Sequence, residues 1–122
     1  MKLRHLLSVA GLLLAAGLSA QEAVYPPGVT PKIHASIGRG LEWLKRNQGN
    51  DGSWRNTGGY GSYPAAMSGI AGMAFIASGS TPTRGRYWNQ VRKSVGFLLK
   101  HSDANTGVIS VPAEEGRSMY GH

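Results

Sequence analysis

Few side chains in this sequence could move a proton, hold a metal or attack a carbonyl, and their spacing joins none of them into a site. Asp51 and Asp103 each lie in a turn that follows a helical segment, where a solvated turn residue is the plain reading. His34, His101 and His122 are scattered, without the i, i+4 spacing or the paired carboxylate that marks a metal site on a helix. Glu114 and Glu115 are adjacent in a polar loop, where neighbouring side chains diverge, so they do not form a general acid and base pair. The chain has no cysteine, which removes thiolate nucleophiles, zinc thiolates and disulfides together. Gly59-Tyr60-Gly61-Ser62-Tyr63-Pro64 begins like a dinucleotide fingerprint, but proline stands where the last glycine belongs and no strand precedes it. No catalytic, cofactor-binding or metal-binding residue is therefore assigned, and no cofactor is expected.

Two weaker patterns concern binding. Arg84, Arg86, Tyr87, Trp88, Arg92, Lys93 and Lys100 interleave bases and aromatics as a nucleic-acid or acidic-glycan surface would, and equally as the solvated outer face of a helix would. Tyr60 and Tyr63 could stack on a sugar or could anchor a glycine-rich loop, and both readings stay open.

The elements that must position these residues begin with an export signal. Met1-Lys2-Leu3-Arg4-His5 is a basic stub before an apolar run from Leu6 to Leu18, and Leu18-Ser19-Ala20 ends in small residues, so a signal peptide over 1–20 with cleavage near Ala20 is expected. The apolar run is shorter than the roughly 20 residues that cross a hydrocarbon core. A periplasmic or extracellular location follows, and export argues against a nucleic-acid partner. Losing Lys2 and Arg4 lowers the formal charge from +7 to +5. That excess favours anionic surroundings, such as an acidic glycan or a lipid head-group surface. The processed chain suffices for one small domain, marginal in stability because it buries only something like 60–65% of its unfolded surface.

Residues 21–29 hold Pro26-Pro27-Gly28 and read as a linker. Thr30 is a good N-cap and Pro31 suits the first helical position, after which Ile33, Ile37, Gly40, Leu41 and Leu44 fall on one helical stripe. Basic residues crowd the last turn, and Asn47-Gln48-Gly49-Asn50-Asp51-Gly52 ends the helix. A second helix from near Pro64 to Ala77 carries no charge, and a helix apolar around its circumference is expected inside a larger helical assembly. Gly79 closes it, and a third helix from about Arg86 to His101 places Val91, Val95, Leu98 and Leu99 on its buried side. Arg39 aligns with Lys93, Trp43 with Phe97 and Leu44 with Leu98 at a separation of 54, and Gly52 with Gly107 at 55. Such a period signals stacked helix pairs. Repeat one covers about 30–79 and repeat two about 82–122.

Arg39-Gly40, Trp43-Leu44, Gln48, Gly52 and Trp54 stand at the spacings of the QW motif. The chain thereby resembles the terpenoid cyclase and protein prenyltransferase α/α-toroid superfamily, whose prenyltransferase and squalene-cyclase repeats carry that motif. In the second copy Ser102 replaces the glutamine and Ile109 the tryptophan. The resemblance implies an all-α fold of antiparallel helix pairs, a partial α/α toroid over 30–122 that looks like an N-terminal fragment. It also implies that Gln48 and Trp54 brace one helix against the next and are not catalytic. The family's cyclases use an Asp-x-Asp-Asp acid, and its zinc and thioester members need cysteine; neither feature is present in this sequence. The expected function is a non-catalytic exported scaffold or binding module. The alternative is the front of an α/α-barrel enzyme (terpenoid cyclase-like, prenyltransferase-like or polysaccharide lyase) whose active site lies beyond His122. On either reading the rest of the toroid is expected to be needed for stability, because a piece this small would expose the flanks of Ala65 to Ala77.

Overall fold

A computed structural model describes residues 25–55 and 61–115, so the expected signal peptide over 1–20, residues 21–24 of the expected linker, Tyr60 and His122 lie outside the described residues. Within them are three helices and no strand: α1 (Pro31–Arg46), α2 (Pro64–Ala77) and α3 (Trp88–Lys100). The all-α class is observed.

Each helix starts and stops for a local reason. The Thr30 hydroxyl accepts from the Ile33 amide at 3.3 Å, and Pro31 takes the first turn, where its missing N–H has no partner to lose. At the other end Asn47 donates its backbone amide to Trp43 and Leu44 and its side-chain amide to the Trp43 carbonyl. α2 closes with the Ser80 amide on the Phe75 carbonyl and the Gly79 amide on Ile76, an arrangement that places Gly79 in the left-handed region at φ 91°. α3 begins two residues later than the expected Arg86. Thr81 and Arg84 close a turn on each other, and the Ser80 hydroxyl holds the Tyr87 amide, which keeps Arg86 out of the helix.

The core joins Leu41 of α1, Trp54 of the following turn, Ala71 and Phe75 of α2, and Tyr87 and Val91 around the start of α3. α2 packs chiefly on α3, where small residues let the backbones approach. A Cβ on Gly72 would stand 2.9 Å from the Ser94 hydroxyl. The buried serines at this contact are satisfied, Ser94 donating to the Ser68 carbonyl at 2.8 Å and Ser68 accepting from the Trp54 amide at 3.1 Å. A hydroxyl in the interior is tolerable only with such a partner.

The buried side of α3 needs correction: it is Val91, Ser94 and Phe97, whereas Val95 is 37% and Leu99 70% exposed, because α2 meets α3 through small residues at Ser94. The charge-free α2 is enclosed on one face only, as a piece too small to cover its flanks would leave it. Pro64, Ala65, Ser68, Ala71, Gly72 and Phe75 are buried, while Ile70 and Met73 are each 69% exposed, Ile76 51% and Met67 39%. The two sets lie on opposite faces at 3.6 residues per turn. α1 and α3 supply neighbours for one face of α2, and nothing among the described residues covers the other. Phe75 apart, the small residues turn inward and the large aliphatic ones outward, the reverse of an ordinary soluble helix. No helix among the described residues is long and apolar enough to cross a membrane.

Candidate functional site

The turn between α1 and α2 is built by its side chains. The Gly49 amide bonds the Ser53 carbonyl at 2.8 Å and the Gly52 amide bonds Gly49 at 3.0 Å, which needs Gly52 at φ 93°. Gln48 donates through Nε2 to the Gly52 carbonyl at 3.0 Å and, across the molecule, to the Gln90 carbonyl of α3 at 3.1 Å. Trp54 is buried beside Phe75 and donates its indole N–H to the Leu44 carbonyl at 2.9 Å. Both side chains hold backbone to backbone, the brace expected of them, and the amide reaches α3 rather than α2.

The second copy keeps the turn without the glutamine. The Asp103 amide bonds the Val108 carbonyl at 2.9 Å, as Gly49 bonds Ser53, and Gly107 takes φ 73° as Gly52 takes 93°. His101 meets the Phe97 carbonyl through its ring at 2.8 Å, as Asn47 meets Trp43, so this histidine closes a helix. Ser102 and Ile109, in place of glutamine and tryptophan, pair as an isolated β-bridge.

The remaining candidates are committed or dispersed. No group of three His, Cys, Asp or Glu side chains converges among the described residues. His34 packs on the Tyr25 ring at 4.9 Å. The base and aromatic cluster splits up. Tyr87 is buried and donates to Glu42 at 3.0 Å, Arg86 pairs with Glu42 at 2.9 Å, and Arg92 lies over Trp88 at 4.8 Å. The hydrogen bond from Tyr87 and the bases Lys45 and Arg86 hold the Glu42 carboxyl below its ordinary range, and burial with that same bond raises the Tyr87 phenol. Glu114 and Glu115 do diverge. Glu114 binds Arg55 through both oxygens and accepts from Ser62, whereas the Glu115 oxygens are buried and meet no hydrogen-bond partner among the described residues, which supply no reason for that burial.

Arg55 is the centre of the polar contacts. It takes Glu114 on one side and Asp51 on the other, at 2.7 and 2.8 Å, and also donates to the Ser53 hydroxyl. Hydrogen bonds from Arg55 and Ser62 lower the Glu114 carboxyl. Burial works to raise Asp51, but bonds from Ser53 and Arg55 outweigh it and leave it lowered. Carboxylates depressed in the folded state contribute stability that is whole above their unfolded values and lost as pH falls through the folded ones. The melting temperature should therefore hold from neutral pH down to the ordinary values of 4.5 for Glu114 and 3.8 for Asp51, then fall below them. These pairs are partly exposed, so each contributes only about 0.2–1 kcal/mol, or a few degrees in a domain of this size. Melts followed by circular dichroism check it. Glu114→Gln should flatten the acid slope, and an unchanged slope would contradict the assignment.

Beside the brace lies a feature that periodicity does not reveal. An open apolar cleft of about 490 Å³ separates α1 from α2, with Trp43 and Leu44 on one wall, Met67, Ile70 and Ala74 on the other, and Arg55 and Asn47 at the rim. Trp43 is 57% exposed there, although its counterpart Phe97 is buried under Arg55 and His101. The available sequence signal was a tryptophan off the Ile33–Leu44 stripe. The volume suits a small apolar molecule or a few side chains of a partner. Comparisons with family models, with characterised proteins and with solved structures find no match.

Proposed function

We propose that the chain is an exported, prenyltransferase- and squalene-cyclase-like repeat module that binds and scaffolds rather than catalyses. The observation that carries this reading is the open cleft at Trp43, beside a turn whose polar groups are already committed to backbone. Gln48 and Trp54 have their donors on carbonyls and Asp51 has its oxygens on Ser53 and Arg55, so the chemically capable groups nearest the cleft serve the turn. What the cleft offers is apolar contact with a polar rim, which favours binding of an apolar group over bond making or breaking.

Lys32, Lys45, Arg46, Arg84, Lys93 and Lys100 take part in no ion pair among the described residues, which supports an anionic glycan or lipid surface as surroundings. The test of the cleft is titration with an apolar naphthalene dye, read by its own emission. Trp43→Ala removes one wall of the cleft at an exposed position, and should weaken binding about tenfold while the helical signal is unchanged. Equal binding by both proteins would sink the reading.

The second reading, the front of an α/α-barrel enzyme with its active site beyond His122, draws on the uncovered face of α2, where further helices of the same chain could pack. An in-frame coding sequence past His122 that carries an acidic cluster or metal ligands would decide for it.

A further inference from the structure

The open face of α2 has a shape as well as a composition. Ile70 and Met73 form a ridge, and beside that ridge runs a shallow apolar groove of about 310 Å³. Its floor is Ala65, Ala66 and Gly69, and its far wall is Leu98 and Ile109. A Cβ placed on Gly69 would meet nothing within 4 Å, so the floor is open to an incoming side chain. Ridge and groove lie side by side on one surface, as a self-complementary two-fold contact requires.

We propose that α2 is the contact helix of a two-fold dimer of this chain, with the Ile70–Met73 ridge of each copy seated in the groove of the other. The proposal goes beyond the binding-module reading; the groove lies across the ridge from the Trp43 cleft, and Ile70 borders both, so pairing narrows the cleft. Two further observations select a second copy as the occupant. The chain carries a net charge of +7, so copies repel wherever bases face each other, and α2 has no charged residue over Pro64–Ala77. The area also suffices. With Ile70 and Met73 69% exposed, Ile76 51% and Met67 39%, the face offers on the order of 500 Å² per copy. A pair would then bury on the order of 1,000 Å², the lower end of what a specific contact needs. The dimer is accordingly weak and concentration-dependent.

Sedimentation equilibrium on the purified chain tests this. The mass should rise from one copy toward two between about 1 µM and about 1 mM. Ile70→Glu should weaken association at least about tenfold with an unchanged helical signal, whereas Leu99→Glu, at a 70% exposed position on α3, should not. Because the sequence has no cysteine, a single introduced thiol reports the contact cleanly. Gly69→Cys and Gly96→Cys both have open space at Cβ, and the first should form disulfide-linked pairs at least about tenfold faster. A monomer at every concentration, an equal effect of Leu99→Glu, or equal cross-linking rates would each overturn the dimer. So would uptake of the monomer by phosphatidylglycerol vesicles that depends on Ile70, which would make lipid the occupant. Dye binding at Trp43 separates the two readings. Chains that stay monomeric at every concentration yet bind dye through Trp43 sink the dimer alone, and chains that associate when concentrated but bind no dye when dilute and monomeric sink the cleft reading alone.

Discussion

Gly52→Ala is expected to cost about 3 kcal/mol or more, a large share of what a domain this small can hold. Two causes add. The backbone stands at φ 93°, where an L side chain is strained, and the new Cβ would lie 2.3 Å from the Lys93 carbonyl oxygen. That obstacle is backbone, so relief means moving the turn off α3 and pulling Gln48 from the Gln90 carbonyl. Urea unfolding should show a midpoint lower by about 1–3 M. Gly107→Ala is the internal comparison. It has the same hand of backbone, at φ 73°, with nothing within 4 Å of the new Cβ, so only the conformational strain remains, about 1 kcal/mol. Equal losses at the two glycines would mean that close approach to α3 is not what Gly52 serves.

Phe75→Ala should remove about 3–5 kcal/mol and leave much of the chain unfolded at room temperature. Phe75 is fully buried between Trp54 and Tyr87, with ring centres at 5.9 and 4.9 Å, and it joins the turn after α1 to the start of α3. Met73→Ala, two residues earlier in the same charge-free helix, should change the unfolding free energy by less than about 0.5 kcal/mol when measured dilute, because its side chain is largely in water. Comparable losses at Phe75 and Met73 would mean that both faces of α2 are covered.

The contrast between those two positions marks the limit of what periodicity could reveal. α1 and α3 carry charges on one side and apolar residues on the other, and Leu41, Leu44 and Val91 do join or line the core. On α3 that contrast pointed only partly the right way, because Val95 and Leu99 are exposed while Ser94 and Phe97 share the buried side with Val91. Ile33 and Ile37 continue the α1 stripe yet are 44% and 49% exposed, because no described element reaches that end of the helix. α2 has no polar face, so its sequence contains no contrast from which a direction could be read. Nor could the Trp43 cleft be read, because a cleft is the space left between helices that stand apart.

Sequence alone determined the features that depend on near neighbours in the chain: the Thr30 cap, the helix stops, the glycine turns and their recurrence after 54 or 55 residues. Gln48 was legible as a brace because its spacing to Gly52 and Trp54 matches a known motif. Tertiary structure alone decided which carbonyl on α3 the amide would reach, that Arg55 would join Asp51 to Glu114, and which side of α2 would stay open. The physical reason is the same in each case. Caps and turns are set by bonds within a few residues, whereas the choice of face on α2 rests on how closely Gly72 and Ser68 allow α3 to approach, a distance that local sequence does not encode.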